Sequence, residues 1–269
     1  MKERIDILLV NKGFFLSRER AKSSIMAGIV YVDKQRCDKA GSLVDINSQI
    51  YVKENLCPYV SRGGLKLEKA FKAFDLDLKG LVCMDIGAST GGFTDFMLQN
   101  GVSKVYAVDV GYGQLDWKLR NDPRVINMEK INVRYLDTKK ISELIDFISI
   151  DVSFISLKLV FPIAAVLLKE NGYVVCLVKP QFEAGRSKVG KNGIVRDQDV
   201  QIEVLNNVAG YATARGLSVQ DITYSPVTGA KGNIEYLLLL KKAEESTSIN
   251  YAQINKTVQE AHESLGGKL

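Results

Sequence analysis

The chain has 269 residues, 46% of them apolar, enough for a sizeable core in one large or two unequal domains. It has no run of eighteen apolar residues, which argues against a spanning helix; four cysteines without a C-x-x-C pair and a single histidine, His262, argue against a disulfide framework, a zinc site or a histidine-dependent triad. The net charge of +5 is uneven: residues 1–80 hold 15 of the 36 Lys and Arg against 10 of the 31 Asp and Glu, so a docking surface for a polyanion belongs to the N-terminal part.

Met1-Lys2-Glu3-Arg4 leads straight into patterned sequence with no apolar leader, the expectation for a cytoplasmic protein. Ile5, Leu8 and Leu9 recur at helical spacing before Gly13. Ser17, suited to an N-cap, precedes a second helical stretch, Arg18 to Ala27, which Gly28 stops. Arg18, Arg20 and Lys22 lie in its first turns, where cations oppose the helix dipole and imply an anionic partner. Ile29–Val32 and Gln49–Val52 read as short strands. Strand patterning stops near Glu54, and residues 55–60, with Pro58, read as a linker between a first domain over 1–54 and a second over 61–242.

The second domain opens with Ser61-Arg62-Gly63-Gly64-Leu65-Lys66. Leu67, Ala70, Phe71 and Phe74 follow at the spacing of an amphipathic helix, with Lys66 in its first turn. Next, the apolar run Leu81–Met84 ends in Asp85 and a turn, Gly87-Ala88-Ser89-Thr90-Gly91-Gly92, after which Phe93 starts another helix. Strand, glycine turn and helix let a ligand approach bare backbone. Ser89 stands where a dinucleotide fingerprint has its second glycine, so a pyrophosphate is disfavoured. Val105–Val108 reads as the next strand and delivers Asp109 and Val110 at its end, where a carboxylate can accept hydrogen bonds from both hydroxyls of a ribose. Asp85, the glycine turn and Asp109 together resemble the S-adenosylmethionine site of class I methyltransferases. Arg124–Asn127 reads as a third strand, and Glu129 and Asn132 just beyond it lie where that resemblance implies the adenine is held.

Phe147–Ile150 is a buried-type strand ending in Asp151, and Tyr173–Val178 is another ending in Lys179. In an open parallel sheet the ligand crevice lies beyond the carboxyl ends of the strands, so Asp85, Asp109, Asp151 and Lys179 should converge. Residues 183–195, rich in Gly, Lys and Arg, read as a mobile loop beside Lys179, either closing over substrate or simply solvated. Asp197 caps a helix reaching about Arg215, Val219–Tyr224 starts another strand, and Ile234–Leu240 is the last strand, with Glu235 near its start. The tail, residues 243–269, is polar, is compatible with a helix and has no readable function.

The order Arg4-Ile5-Asp6, Ser17-Arg18-Glu19-Arg20-Ala21-Lys22 and Ala27-Gly28-Ile29-Val30-Tyr31-Val32 resembles the S4 RNA-binding domain, a small α+β module. Lys66, Asp151, Lys179 and Glu235 match in chain order the K-D-K-E tetrad of ribose 2′-O-methyltransferases. Their contexts, Ser61–Leu67, Asp151–Leu157, Val178–Glu183 and Gly232–Tyr236, resemble the TlyA family, also labelled haemolysins. The resemblance implies an FtsJ-like, Rossmann-like α/β methyltransferase domain, a mostly parallel sheet with an antiparallel last strand. It further implies S-adenosylmethionine as cofactor, no metal, and cytidine 2′-O-methylation in small- or large-subunit ribosomal RNA. Cofactor contacts would come from Asp85, Gly87, Ser89, Thr90, Gly91, Gly92, Phe93, Asp109, Val110, Glu129, Asn132 and Asp151. Arg4, Arg18, Arg20, Lys22 and Arg62 would touch RNA. A lysine partly desolvated beside a second cation sheds its proton more readily, and Lys179 is assigned as the base that activates the hydroxyl. Three rival classes stand outside this reaction, the first two being a non-catalytic S4-type assembly factor and a membrane-active haemolysin, the latter disfavoured because no apolar amphipathic face is encoded. A nicotinamide oxidoreductase fits the fold but not the glycine spacing.

Overall fold

The computed structural model describes residues 1–15, 17–26, 28–53, 57–243 and 250–265, apart from the side chains of Arg20 and Ser23. It forms two compact units, Met1–Pro58 and Tyr59–Leu269, each with its own core.

In the first unit, β1 (Lys2–Arg4) leads into α1 (Ile5–Asn11) and α2 (Arg18–Met26), followed by β2 (Val30–Val32), β3 (Gln35–Arg36), β4 (Leu43–Asp45) and β5 (Ile50–Val52). β1 pairs antiparallel with β4, and β2 lies between β3 and β5. Ile5 and Leu9 of α1, Ala21 and Ile25 of α2 and Val30 of β2 make the core. β1, β3 and β4 have no signature in the sequence because strands of two or three residues are too short for periodicity to show. Asp6 is fully buried and accepts hydrogen bonds from Arg4 Nε at 3.0 Å and Arg18 Nη2 at 3.0 Å. The bond from Arg4, reinforced by that from Arg18, outweighs burial and holds the Asp6 carboxyl down at about 2.

The second unit runs α3 (Gly63–Phe74), β6 (Val82–Ile86), α4 (Gly92–Gln99), β7 (Lys104–Val108), α5 (Trp117–Arg120), β8 (Val125–Met128), β9 (Ile145–Ile150), α6 (Phe161–Leu167), β10 (Leu168–Val178), α7 (Pro180–Glu183), α8 (Gln198–Thr213), β11 (Leu217–Tyr224), β12 (Tyr236–Lys242) and α9 (Tyr251–Leu265). The sheet order is β11-β12-β10-β9-β6-β7-β8. The run from β10 to β8 is parallel, and β12, the last strand of the chain, inserts antiparallel between β10 and the edge strand β11. The central strands are apolar almost throughout because both faces are covered. Met84, Ile148, Val174 and Leu238 point to the face that α6, α8 and α9 cover, whereas Cys83, Phe147, Val175 and Leu237 point to the face under α3 and α4. That alternation fixes the register, since a slip of one residue would exchange the two sets.

α8 begins where expected, its N-cap Asp197 accepting from the backbone N–H groups of Asp199 and Val200. β12 starts at Tyr236, so Glu235 precedes the strand instead of lying within it. The polar tail, expected to form helix, contains α9, whose Ile254, Val258, Ala261 and Leu265 join the core beside α8, a docking that its polar composition does not show. Among the described residues no helix is long and apolar enough to cross a membrane.

Candidate active site

The carboxyl ends of β6, β7 and β9 are brought level by backbone hydrogen bonds, Gly87 N donating to Val108 O at 2.9 Å and Asp151 N to Ile86 O at 2.9 Å, and β10 runs parallel beside β9 with Cys176 opposite Ile150. Gly87, at φ +87°, lets the two strand ends close up, because a Cβ there would stand 2.3 Å from the Asp151 carbonyl oxygen. Gly92 does the same for the two helices, since a Cβ on it would lie 2.4 Å from Ser61 Oγ and 2.9 Å from Gly64 N. The start of α3 therefore sits against the start of α4, and Lys66, one turn into α3, projects over the strand ends.

The four tetrad residues meet. Lys66 Nζ lies 2.7 Å from Glu235 Oε2 and 3.7 Å from Asp151 Oδ2, while Lys179 Nζ lies 2.5 Å from Asp151 Oδ1. Lys179 also donates to Ser153 Oγ at 3.0 Å. The result is a row of alternating charge, Glu235, Lys66, Asp151, Lys179, in which every cation has a carboxylate partner. Burial, the largest single influence on Lys66, lowers its affinity for the proton, but the charges of Asp151 and Glu235 together raise it further, so Lys66 stays a cation.

The row lines a cavity of about 700 Å³ whose wall includes Arg62, Gly87, Ser89, Phe93, Phe154, Phe182 and Asn233. A second cavity of about 500 Å³ is lined by Gly87, Ser89, Asp109, Val110, Asn132 and Arg134. Gly87, Ser89, Asp151, Ser153 and Phe154 line both, so the two cavities adjoin across the end of β9. Asp109 is oriented by its neighbours, accepting from Ser89 N and Gly111 N at 2.7 Å each, which leaves lone pairs on both carboxylate oxygens facing the smaller cavity.

Of the expected cofactor residues, Gly87, Ser89, Thr90, Gly92, Phe93, Asp109, Val110, Asn132 and Asp151 reach one cavity or the other. Three do not. Asp85 lies beneath the turn, fully buried, accepting from Thr94 Oγ1 at 2.7 Å and Ser149 Oγ at 3.1 Å; it holds the turn rather than facing a ligand. Glu129 is drawn aside by Arg120, whose Nη2 lies 2.6 Å away, and that bond holds its carboxyl below the usual range. Gly91 is packed from behind, a Cβ there meeting the Leu119 side chain at 2.2 Å. Of the expected RNA contacts, Arg62 lies at the mouth of the larger cavity. Arg4 and Arg18 are half-exposed while clasping Asp6. Lys22 is half-buried on α2, and the side chain of Arg20 lies outside the described residues.

Ser153 and Phe154, inside the segment Asp151–Leu157, carry no sequence signal of a role in the site. Phe154 is 90% exposed at φ +62° and packs on Phe182 with ring centroids 4.9 Å apart, an aromatic shelf at the mouth of the tetrad cavity. Only its exposure marks it, and exposure has no pattern in a sequence. Glu183 accepts from Ser156 Oγ at 2.7 Å and Leu157 N at 2.8 Å, tying α7, which follows Lys179, to the segment that follows Asp151.

Residues 59–242 match the model of the FtsJ-like methyltransferase family, and residues 3–50 match the S4 domain. A Bacillus subtilis protein named as a candidate rRNA methyltransferase, YqxC, is 49% identical over 99% of this chain and 96% of its own length. The Mycobacterium tuberculosis protein named 16S/23S rRNA (cytidine-2′-O)-methyltransferase TlyA is 40% identical over 89% of this chain and 90% of its own. A solved structure from Streptococcus thermophilus, named as a candidate hemolysin, is 47% identical, superposes with a TM-score of 0.81 and covers 99% of this chain and 98% of its own. With the methyltransferase match spanning the whole seven-stranded sheet and the S4 match the unit before it, the chain belongs to the FtsJ-like methyltransferase family, among the TlyA proteins that carry an N-terminal S4 domain.

Proposed function

We propose that this protein transfers a methyl group from S-adenosylmethionine to the 2′-hydroxyl of a cytidine in ribosomal RNA. The observation that carries the reading is the unbroken charged row Glu235–Lys66–Asp151–Lys179 along a cavity that adjoins the glycine turn. A cofactor of adenosine type fits the smaller cavity: Asp109 offers free acceptor positions to ribose hydroxyls, and Gly87 leaves the strand end open where a Cβ could not stand. S-adenosylmethionine, when bound, supplies a methyl group already activated by its sulfonium.

The chain's own residues then have one task, because a ribose hydroxyl is a poor nucleophile at neutral pH. Lys66, kept charged between Glu235 and Asp151, stabilises negative charge as it develops on the ribose oxygen. Lys179 acts as base in its neutral form: once its ammonium has released a proton to water, the amine takes the hydroxyl proton, with Ser153 and Asp151 fixing it in place. Phe154 and Phe182 offer an aromatic face on which a base taken out of its stack can rest. Arg4, Arg18, Arg20 and Lys22 of the first unit and Arg62 of the second supply contacts to RNA phosphates.

The test is transfer of labelled methyl from S-adenosylmethionine to separated ribosomal subunits that lack the modification, with the product mapped. Wild type is expected to label a cytidine 2′-hydroxyl, and Lys179→Ala to lose about 10²- to 10⁴-fold in kcat, the usual worth of a general base, while keeping its cofactor affinity. Label on a base, or full activity in Lys179→Ala, would overturn the assignment.

A further inference from the structure

The segment after α7 carries Arg186, Lys188, Lys191 and Arg196 and no acidic residue between 185 and 196. Its composition suggests a mobile loop, yet it is pinned where it meets the tetrad cavity. Val195, itself buried, has both backbone groups taken: its N–H donates to Asn233 Oδ1 at 2.9 Å, and its carbonyl accepts from Gln201 Nε2 at 2.7 Å. Asn233 uses its other end as well, Nδ2 donating to Gly193 O at 2.9 Å. Gln201 is held in turn, its Oε1 accepting from Tyr236 OH and lying 2.9 Å from His262 Nε2. Within the loop, Gly190 N donates to Ile194 O at 3.0 Å, closing a tight ring around Asn192 and Gly193, which both adopt positive φ.

Asn233 is 2% exposed and lines the cavity together with Val189 and Gly193 of the loop and Glu235, two residues further on. The backbone around it is tied to the same corner, Gly229 N donating to Asn233 O at 2.9 Å, and a Cβ on Gly229 would stand 2.7 Å from Glu235 Oε1. A primary amide is the side chain with a donor and an acceptor in one short planar fork, which is what an N–H and a carbonyl two residues apart require. Aspartate lacks the donor and alanine lacks both.

We infer that Asn233 is a positioning residue for the RNA substrate: it latches the cationic segment 185–196 as a wall of the reaction cavity and ties that wall to the strand entry bearing Glu235. Asn233 acts through the loop, which presents Arg186 and Lys191 to the polyanion while Val189 and Gly193 shape the space beside the tetrad. The inference rests on the RNA methylation reading for its substrate, but the latch itself does not.

The experiment compares wild type, Asn233→Ala and Asn233→Ser in the full-length protein by trypsin cleavage within 185–196, by S-adenosylmethionine affinity and by methyl-transfer kinetics on ribosomal subunits. In Asn233→Ala, cleavage after Arg186, Lys188 or Lys191 is expected to be at least about tenfold faster, because local opening sets the rate. KM for the subunits should rise at least about tenfold with kcat within about threefold, the split expected when binding and not chemistry is lost. Cofactor affinity, which belongs to the other cavity, should stay within about twofold. Asn233→Ser, which can keep one of the two bonds, should fall between and serves should the alanine variant fail to fold. Unchanged cleavage, faster cleavage with unchanged KM, or a parallel loss of cofactor affinity would each overturn the latch. If wild type methylates neither subunit, the function above fails while the latch is still decided: faster cleavage with weakened binding of ribosomal RNA supports it, and unchanged RNA binding sinks it.

Discussion

Asp85 and Lys66 show how differently one environment treats two buried charges. Asp85 has hydroxyl partners and no cation, so burial, opposed by hydrogen bonds from Thr94 and Ser149, pushes its carboxyl up to about 7 from an ordinary 3.8. The folded protein thus holds this proton more tightly than the unfolded chain. Folding takes up a proton between about pH 4 and pH 7, and stability falls as pH rises through that window, with the penalty complete above it. Asp85→Asn, isosteric and neutral at every pH, should remove the penalty, raising stability at pH 8.5 by up to about 3–4 kcal/mol and leaving it almost unchanged near pH 4. Thermal melts of both proteins across that range test this; parallel pH profiles would show that Asp85 is not protonated in the fold. Lys66 carries two carboxylate partners and stays charged through the same range.

At the scale of elements, α9 turns a polar tail into part of the core. Its Val258 is fully buried in the cluster that includes Val204, Leu205 and Val208 of α8. Val258→Asp would place an unpaired carboxylate there, and a loss of about 3 kcal/mol or more is expected, read as a lowered urea midpoint. An unchanged midpoint would mean that α9 does not dock. The same helix reaches toward the site through His262, whose ring lies against Gln201, the residue that holds the Val195 carbonyl. Burial keeps that imidazole's affinity for a proton below its ordinary value.

For the whole molecule, the excess of positive charge lies in the first 80 residues and the cofactor-sized cavity lies wholly within Tyr59–Leu269. Under the proposed function, RNA binding by the first unit, which holds 10 Lys and Arg against 7 Asp and Glu, is separable from cofactor binding by the second. A chain beginning at Tyr59 keeps both apolar clusters of the large unit, so it is expected to bind S-adenosylmethionine within about twofold of the full chain, judged by the separation of the sites. Its affinity for ribosomal RNA should fall at least about tenfold, with a shallower dependence on salt, because phosphate contacts release counterions. Titrations at two salt concentrations decide it, and an unchanged salt slope would remove the first unit from the RNA interface.

The alternation of buried and exposed positions, the glycine turn and the strand-end charges are local features, and they determined most of the larger unit's order of elements and the convergence of Asp109, Asp151 and Lys179, whereas Lys66 and Glu235 entered the site only through the resemblance to the K-D-K-E tetrad. Periodicity is written in neighbouring residues, and a parallel sheet collects whatever stands at its strand ends. Asp85 and Glu129 show the limit: both stand at strand ends, yet Thr94 and Ser149 hold one beneath the glycine turn and Arg120 pulls the other aside. The loop 185–196 shows it again, since its Gly, Lys and Arg content says nothing of Asn233 and Gln201, up to 40 residues away, which hold it. Which partner satisfies a buried polar group, and whether a polar tail hides an apolar face against the sheet, depend on contacts between distant residues, and only the tertiary structure decided them.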